Sequence, residues 1–372
     1  MAEETKKQNH RLMFSGGGTG GSVTPLLAVA EELLKETAPD MSWELFFVGS
    51  KKGPEKELVA SFNQALGANI KPFTFIALTS GKWRRYFSLR NFLDIFKCLV
   101  GFFESLRILR KVKPELIISA GSFVSVPLVW AASLKKIPIL IHQQDVRPGL
   151  ANKLMAPFAR AVTVTFESSL IDYGPKAVWT GNPVKELNVK PYVLENKNKP
   201  LVIAIGGGTG ATALNELIFP EIENYDSFCK LIHLTGQGKS SALKNRSATA
   251  YQAFEFLPHD EVLSLMAAAD LVISRCGLGT LSELSFLGKP AVLIPIPHSH
   301  QEDNAALWEK QQAALVLNQT ELTPDKLASA VKDLLADEAK RETLGAKMAK
   351  VMKPGAAEKI AALIWEMINF AS

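Results

Sequence analysis

Cysteine is scarce: three in 372 residues, at positions 98, 229 and 276. Their spacing fits neither a zinc site nor a CxxC pair, which excludes a disulfide framework and points to a reducing compartment. Long apolar runs are missing too. The most apolar stretch, Cys98 to Phe103, is bounded by Lys97 and Glu104, far short of the roughly 20 residues of a membrane span. The first residues, MAEETKKQNHR, carry no apolar core of a secretory signal. No Gly-Lys-Ser/Thr follows a glycine loop, which excludes a Walker A site, and no Asp-x-Asp occurs to hold a metal-bound nucleotide diphosphate. His298 and His300 lack a third spaced ligand, so no metal and no cofactor is expected. The basic residues accompany no nucleic-acid-binding motif, and no nucleic acid is expected as a partner.

What is present is a globular composition, 47% hydrophobic and 21% charged. The length suits two domains. Charge divides unevenly: 24 Lys and Arg against 15 Asp and Glu up to Lys185, then 18 against 22. A basic first half suits an anionic ligand or surface. Short apolar runs alternate with helical patterns throughout. RLMF, WELFFVG, PELIIS, PILIH and AVTVTF are predicted strands of the first half; PLVIAIG, CKLIHLTG, LVISR and PAVLIPI belong to the second. Uniformly apolar strands between amphipathic helices predict parallel sheets covered on both faces, an α/β fold.

Two glycine loops divide the chain. GGGTGG, residues 16–21, follows the first strand, and GGGTGA, 206–211, follows PLVIAI; each opens a helix. The repeat predicts two Rossmann-like, doubly wound domains, 1–185 and 200–354, joined by the polar linker 186–199. The tail from 355 to 372 is an amphipathic helix that either crosses back to the first domain or packs on the second. A glycine loop at a helix start offers amide groups and a positive dipole end to phosphate. A dinucleotide is disfavoured, because the second strand ends in Gly49 and Ser50 without the acidic ribose partner.

ADLVISRCGLGTLSELSFLGKP carries a second constellation. Arg275 ends a strand, Thr280 lies at a helix start suited to phosphate, and Glu283 one turn on can accept from both ribose hydroxyls. Gln301 and Asn304, which both donate and accept, suit sugar hydroxyls.

GGGTGGSVTPLLAVAEEL, GSFVSVP, HQQDVRPGLANKLMAPFA, TGNPVK, GGGTGATALNE and RCGLGTLSELSFLGKPAVLIPIPHSHQEDNAA occur in the order and approximate spacing of the MurG family. The chain thus resembles the UDP-N-acetylglucosamine–N-acetylmuramyl-(pentapeptide) pyrophosphoryl-undecaprenol N-acetylglucosamine transferases along nearly its whole length. The resemblance implies a GT-B fold, with two Rossmann-like domains facing a cleft. It implies inverting transfer of N-acetylglucosamine (GlcNAc) from UDP-GlcNAc to the lipid-linked acceptor, lipid I, giving lipid II. Gly18, Thr19, Gly20 and Gly21 match the acceptor-diphosphate loop. Lys185, Gly208, Thr209, Gly210, Leu257, Arg275, Thr280, Glu283, Gln301 and Asn304 fall on donor-side positions, Leu257 at the uracil and Gln301 at the sugar. Lys185 stands where the family often has Arg, and Gly208 where it often has Ser. The resemblance also implies an anionic inner-membrane surface and cell-wall synthesis proteins as partners, and a peripheral place on the cytoplasmic face of the plasma membrane. A related enzyme with another lipid acceptor, a sugar epimerase on the same fold and a non-catalytic UDP-sugar-binding subunit remain open.

The departures concern acid–base chemistry. Ser22 stands where the family's first loop ends in His, and the family's HEQN is His142, Gln143, Gln144 and Asp145. Inverting transfer needs a group that takes the acceptor hydroxyl's proton. The candidates are Asp145, His142 and Ser22, with Asp145 either the base or a cap for a helix starting near Pro148. For the membrane, Trp83, Arg84, Arg85 and Phe87 combine cationic and aromatic groups. The helix from about Leu89 is apolar on nearly all sides and is expected to be mostly core.

Overall fold

The computed structural model describes residues 8–18, 20–35, 37, 41–67, 70–81, 89–185, 192, 198–206, 211–239 and 249–369. Two compact units result: residues 1–185 with 353–372, and residues 186–352.

The first unit runs β1 (Gln8–Ser15), α1 (Thr24–Lys35), β2 (Met41–Ser50), α2 (Glu55–Ala65), β3 (Thr74–Leu78), α3 (Leu89–Val112), β4 (Leu116–Ser119), α4 (Ser125–Leu134), β5 (Ile139–Gln143), α5 (Leu150–Met155), β6 (Ala161–Val164) and β7 (Ala177–Trp179). Its seven strands are all parallel, in the order β3-β2-β1-β4-β5-β6-β7. Successive residues of β1 face opposite layers: Leu12 and Phe14 enter one core cluster, Met13 the other. Ile117 and Ile118 of β4 divide the same way. Burial on both faces is why these strands read as unbroken apolar runs.

The second unit runs β8 (Leu201–Ile205), α6 (Thr212–Ile218), α7 (Ile222–Phe228), β9 (Lys230–Leu234), β10 (Tyr251–Phe254), α8 (His259–Ala268), β11 (Leu271–Ser274), α9 (Leu278–Leu287), β12 (Ala291–Leu293), α10 (His300–Lys310), β13 (Leu315–Val316), α11 (Pro324–Ala336) and α12 (Glu338–Val351). Its six parallel strands follow the order β10-β9-β8-β11-β12-β13. The chain winds outward from the first strand of each sheet, then returns to its other side. The switch points therefore lie between β1 and β4 and between β8 and β11, where open α/β sheets bind ligands beyond the strands' carboxyl ends. A glycine loop follows the first strand at each switch point.

The last helix, α13 (Ala356–Asn369), is part of the first unit. Ile360, Ile364, Met367 and Ile368 join Leu26 and Leu33 of α1 in one cluster, an i, i+4, i+7, i+8 stripe covering the sheet. Gly181 takes φ +93°, and a Cβ there would overlap the Lys353 carbonyl. Lys353 sits 4.0 Å from the Trp179 ring centre and donates to the Trp179 carbonyl at 3.0 Å.

One sequence expectation is corrected on α3. Phe96, Leu99, Val100 and Phe103 are exposed by 55, 51, 51 and 60%. Their i, i+3, i+4, i+7 spacing makes one solvent-facing stripe, and Arg107 and Arg110 continue it, also exposed. The helix buries only its other side, because one sheet layer can cover only one of its faces. Trp83, Arg84, Arg85 and Phe87 lie outside the described residues.

Candidate active site

The first glycine loop is shaped by side chains beneath it. A Cβ on Gly16 would overlap the Ser22 carbonyl, and one on Gly17 would overlap the Glu55 carboxylate. Gly18 adopts φ +86°, which a side chain disfavours. The Ser22 hydroxyl accepts from the Gly17 amide at 2.9 Å and donates to the Gly17 carbonyl at 3.1 Å. Glu55 accepts from the Gly18 amide at 2.6 Å. Two sequence assignments change accordingly. Ser22 is buried and bonded to its own loop, a brace rather than a proton acceptor. The Gly18 amide is committed to Glu55, so it is not a phosphate donor in this arrangement. Gly20 and Gly21 begin the turn that leads into α1, and their amides have no hydrogen-bond partner among the described residues. Thr19 lies outside those residues.

The HQQD segment meets this loop directly: Gln144 donates from Nε2 to the Gly21 carbonyl at 2.6 Å. Gln143 is buried, and its Nε2 donates to the carbonyls of Asp145 at 2.7 Å and Arg147 at 3.2 Å. Its Oε1 accepts from Asn152 at 2.6 Å and from the Tyr173 hydroxyl at 2.9 Å. A glutamate would set carboxylate oxygens against two carbonyls, so the amide is what lets the loop fold this way.

His142 is corrected as a proton acceptor. It is 1% exposed, and its ring nitrogens contact Thr163 Oγ1 at 3.0 Å and Asn182 Oδ1 at 2.9 Å. Burial holds its pKa down at about 4, so the ring is neutral at pH 7 and joins β5 to β6 and the TGNPVK segment. Asp145 is half-buried at the loop surface. The helix-cap reading fails: α5 begins at Leu150 with Gly149 at its N-cap position and no side-chain cap bond.

On the second unit, Arg275 follows β11 at the switch point. It is 4% exposed, donates from Nη1 to the Ile294 carbonyl at 2.9 Å, and leaves Nε buried without a partner. No carboxylate pairs with it among the described residues, and burial lowers its pKa from the ordinary value. Burying a lone cation costs several kcal/mol, a cost that an anionic ligand offsets. The adjoining turn is held from both sides. Gln301 Oε1 accepts from the amides of Cys276 at 3.3 Å and Ile296 at 3.2 Å, while Asn304 Nδ2 donates to the Cys276 carbonyl at 3.0 Å. Asn304 is wholly buried, so its assigned contact with sugar hydroxyls is corrected: it supports the turn. Gln301 is 9% exposed, and its Nε2 has no hydrogen-bond partner among the described residues.

The helix of the constellation starts two residues before Thr280, at Leu278, with Gly277 as N-cap and no side-chain cap bond. Thr280 is half-buried in its first turn. Glu283, one turn in, has a 14% exposed side chain and lies 3.6 Å from His259 at the start of α8. Burial raises the Glu283 pKa from 4.5 to about 8. Leu257, half-buried, lies one residue before Pro258, the N-cap of α8. Lys185 is half-buried at the end of the first unit's main segment. Gly208, Thr209 and Gly210 lie outside the described residues. Glu55 and His259 escaped the sequence reading: each is one of several charged or polar residues at a helix start, and only folding shows what it faces.

Two family models match the chain. The glycosyltransferase family 28 N-terminal domain covers residues 12–164, and the family 28 C-terminal domain covers 201–360. The two Rossmann-like units are those of a GT-B glycosyltransferase. A Clostridium botulinum protein named UDP-N-acetylglucosamine–N-acetylmuramyl-(pentapeptide) pyrophosphoryl-undecaprenol N-acetylglucosamine transferase is 38% identical over 330 residues, 85% of this chain and 88% of its own. The chain belongs to that transferase family, the MurG family. The crystal structure of Acinetobacter baumannii MurG is similar at 25% identity, with a TM-score of 0.70, covering 96% of this chain and 99% of that one. A putative UDP-N-acetylglucosamine 2-epimerase from Listeria monocytogenes reaches the same TM-score at 13% identity, covering 96% of each chain; that likeness concerns the fold alone.

Proposed function

We propose that this protein transfers GlcNAc from UDP-GlcNAc to the 4-hydroxyl of the N-acetylmuramyl sugar of lipid I, with inversion, giving lipid II. The observation that carries the reading is the kinship, over 85% of the chain, with a transferase of that name. The acceptor hydroxyl attacks the anomeric carbon as the bond to UDP breaks. The nucleophile's proton goes to Asp145, the one accessible group of the three candidates. The negative charge growing on UDP meets Arg275 and the start of α9. Glu283 accepts from the ribose hydroxyls, and Gln301 Nε2 is free to donate to the sugar. The amides of Gly20 and Gly21, in the turn that leads into α1, receive the acceptor diphosphate.

The test is GlcNAc transfer to a short-chain lipid I analogue. Wild type turns over, and Asp145→Asn lowers kcat by about 10²- to 10⁴-fold while UDP-GlcNAc binds as before. Equal turnover removes Asp145 as the base; an inactive wild type that still binds donor overturns the acceptor.

The exposed stripe of α3 supports docking on an anionic membrane surface, where lipid I resides. Leu134 of α4, Leu154 of α5 and Phe158 just beyond are exposed as well. These helices form one layer: α3 packs on α4, and Trp130 of α4 donates to the Leu154 carbonyl at 3.1 Å. Apolar side chains enter the interface, and Arg107 and Arg110 meet acidic headgroups. Among the described residues no helix is long and apolar enough to cross a membrane. Changing both Phe96 and Phe103 to Glu reduces partitioning onto phosphatidylglycerol-containing vesicles at least about tenfold, measured by sedimentation. Unchanged partitioning removes α3 from the membrane surface.

A further inference from the structure

Glu55 is wholly buried in the first turn of α2, yet its partners all belong to other segments. Oε1 accepts from the Gly18 amide at 2.6 Å and from the Ser50 hydroxyl at 3.0 Å, and Oε2 lies 3.2 Å from the same hydroxyl. No cation pairs with it among the described residues. A buried carboxylate is costly unless its oxygens are satisfied, and here the surroundings are cut to fit. A Cβ on Gly17 or Gly53 would overlap the carboxylate, and one on Gly49 would come within 3.0 Å of the Glu55 Cβ. The start of α2 adds the positive end of a helix dipole. Three glycines from three segments thus enclose one side chain.

We infer that Glu55 is the positioning residue of the acceptor loop, fixing which loop amides face the diphosphate. This rests on the reading of that loop as the acceptor's diphosphate cradle. Glu55 draws the Gly18 amide inward as Ser22 draws in the Gly17 amide. The loop is thereby bent from beneath, and the amides of Gly20 and Gly21 are left for a ligand. Glu55 does not touch that ligand. Its full enclosure also argues against a resident anion that leaves when phosphate arrives, because the surrounding glycines leave it nowhere to go.

The probe is inorganic pyrophosphate, titrated into the full-length protein by calorimetry and as an inhibitor competing with the lipid I analogue. Glu55→Ala weakens pyrophosphate binding and raises the acceptor KM at least tenfold, with kcat changed less than threefold and UDP-GlcNAc affinity unchanged. Glu55→Gln, whose carbonyl still accepts from Gly18, stays within threefold of wild type, whereas Glu55→Asp, one methylene shorter, does not. Ser50→Ala, which loosens the carboxylate without removing it, shifts the acceptor KM two- to fivefold the same way and serves if Glu55→Ala fails to fold. The inference is overturned if Glu55→Ala and Ser50→Ala both bind pyrophosphate like wild type, or if donor affinity falls alongside. It is also overturned if Glu55→Gln binds pyrophosphate tenfold tighter, the mark of a competing anion. Pyrophosphate binding lost in Glu55→Ala by a protein inactive on lipid I would retire the acceptor assignment while keeping Glu55's role.

Discussion

Arg275→Met lowers kcat for GlcNAc transfer by about 10²- to 10³-fold, the usual loss when one preorganised group facing developing charge is removed. The guanidinium is held at the switch point by one bond to the Ile294 carbonyl, with Nε unpartnered and no described carboxylate beside it. As UDP departs, its diphosphate gains negative charge in a region of low effective dielectric, where a fixed cation acts strongly. The same burial makes the cation a burden on the free protein. Arg275→Met therefore melts at the same temperature as wild type or higher, because an apolar side chain replaces an unpaired buried charge. Arg275→Lys retains charge without the planar fork and falls between the two. Single-turnover rates with thermal melting decide the matter. A variant that loses stability and activity together would reduce Arg275 to a structural part of the turn after β11.

The second large effect is on pH. Burial holds the Glu283 carboxyl protonated up to about 8 in the free protein, whereas ribose hydroxyls donate to it when it is ionised. Donor binding then lowers its pKa and releases a proton. By linkage, affinity for UDP-GlcNAc rises about tenfold per pH unit between roughly 6 and 8 and levels off above. Glu283→Gln flattens that slope and binds more weakly at pH 8, since one amide oxygen replaces two carboxylate oxygens. His259, 3.6 Å away, favours the carboxylate when protonated, so His259→Gln serves as control. Calorimetry in buffers of different ionisation enthalpy counts the released proton; a slope that persists in Glu283→Gln belongs to another group. The stability linkage runs the opposite way. With a folded pKa of about 8 above the ordinary 4.5, this group's contribution is full below 4.5 and is lost as pH rises through 8.

The sequence-predicted strands are those buried on both faces, such as RLMF in β1 and LVIS in β11. The strands it missed, β3, β7, β10 and β13, are the edges of the two sheets. An edge strand is short and partly solvated: β7 is Ala-Val-Trp, with no residue fully buried. β7 and β10 lack the long apolar run that two covered faces impose, whereas β3 carries one, Phe75 to Leu78, without the double burial. The outer stripe of α3 misled for the converse reason. An apolar residue in a helix signals burial only if a partner covers it, and composition does not say which side is covered.

The sequence by itself determined the α/β class, the duplicated glycine loops, the order of motifs and the family, because those depend on local pattern and spacing. It also singled out Glu283 and Arg275 as candidate donor groups by position. What it could not determine was direction. His142 and Asp145 are three residues apart, yet one is sealed between Thr163 and Asn182 while the other stays at the surface. Gln301 and Asn304 share a helix, yet both turn to Cys276. Ser22 fills a position where chemistry would want a base, and folding points it at Gly17. The tertiary structure alone decided these, because a buried polar group must find its partner inside the protein, and that partner can lie far along the chain, as Asn182 does from His142.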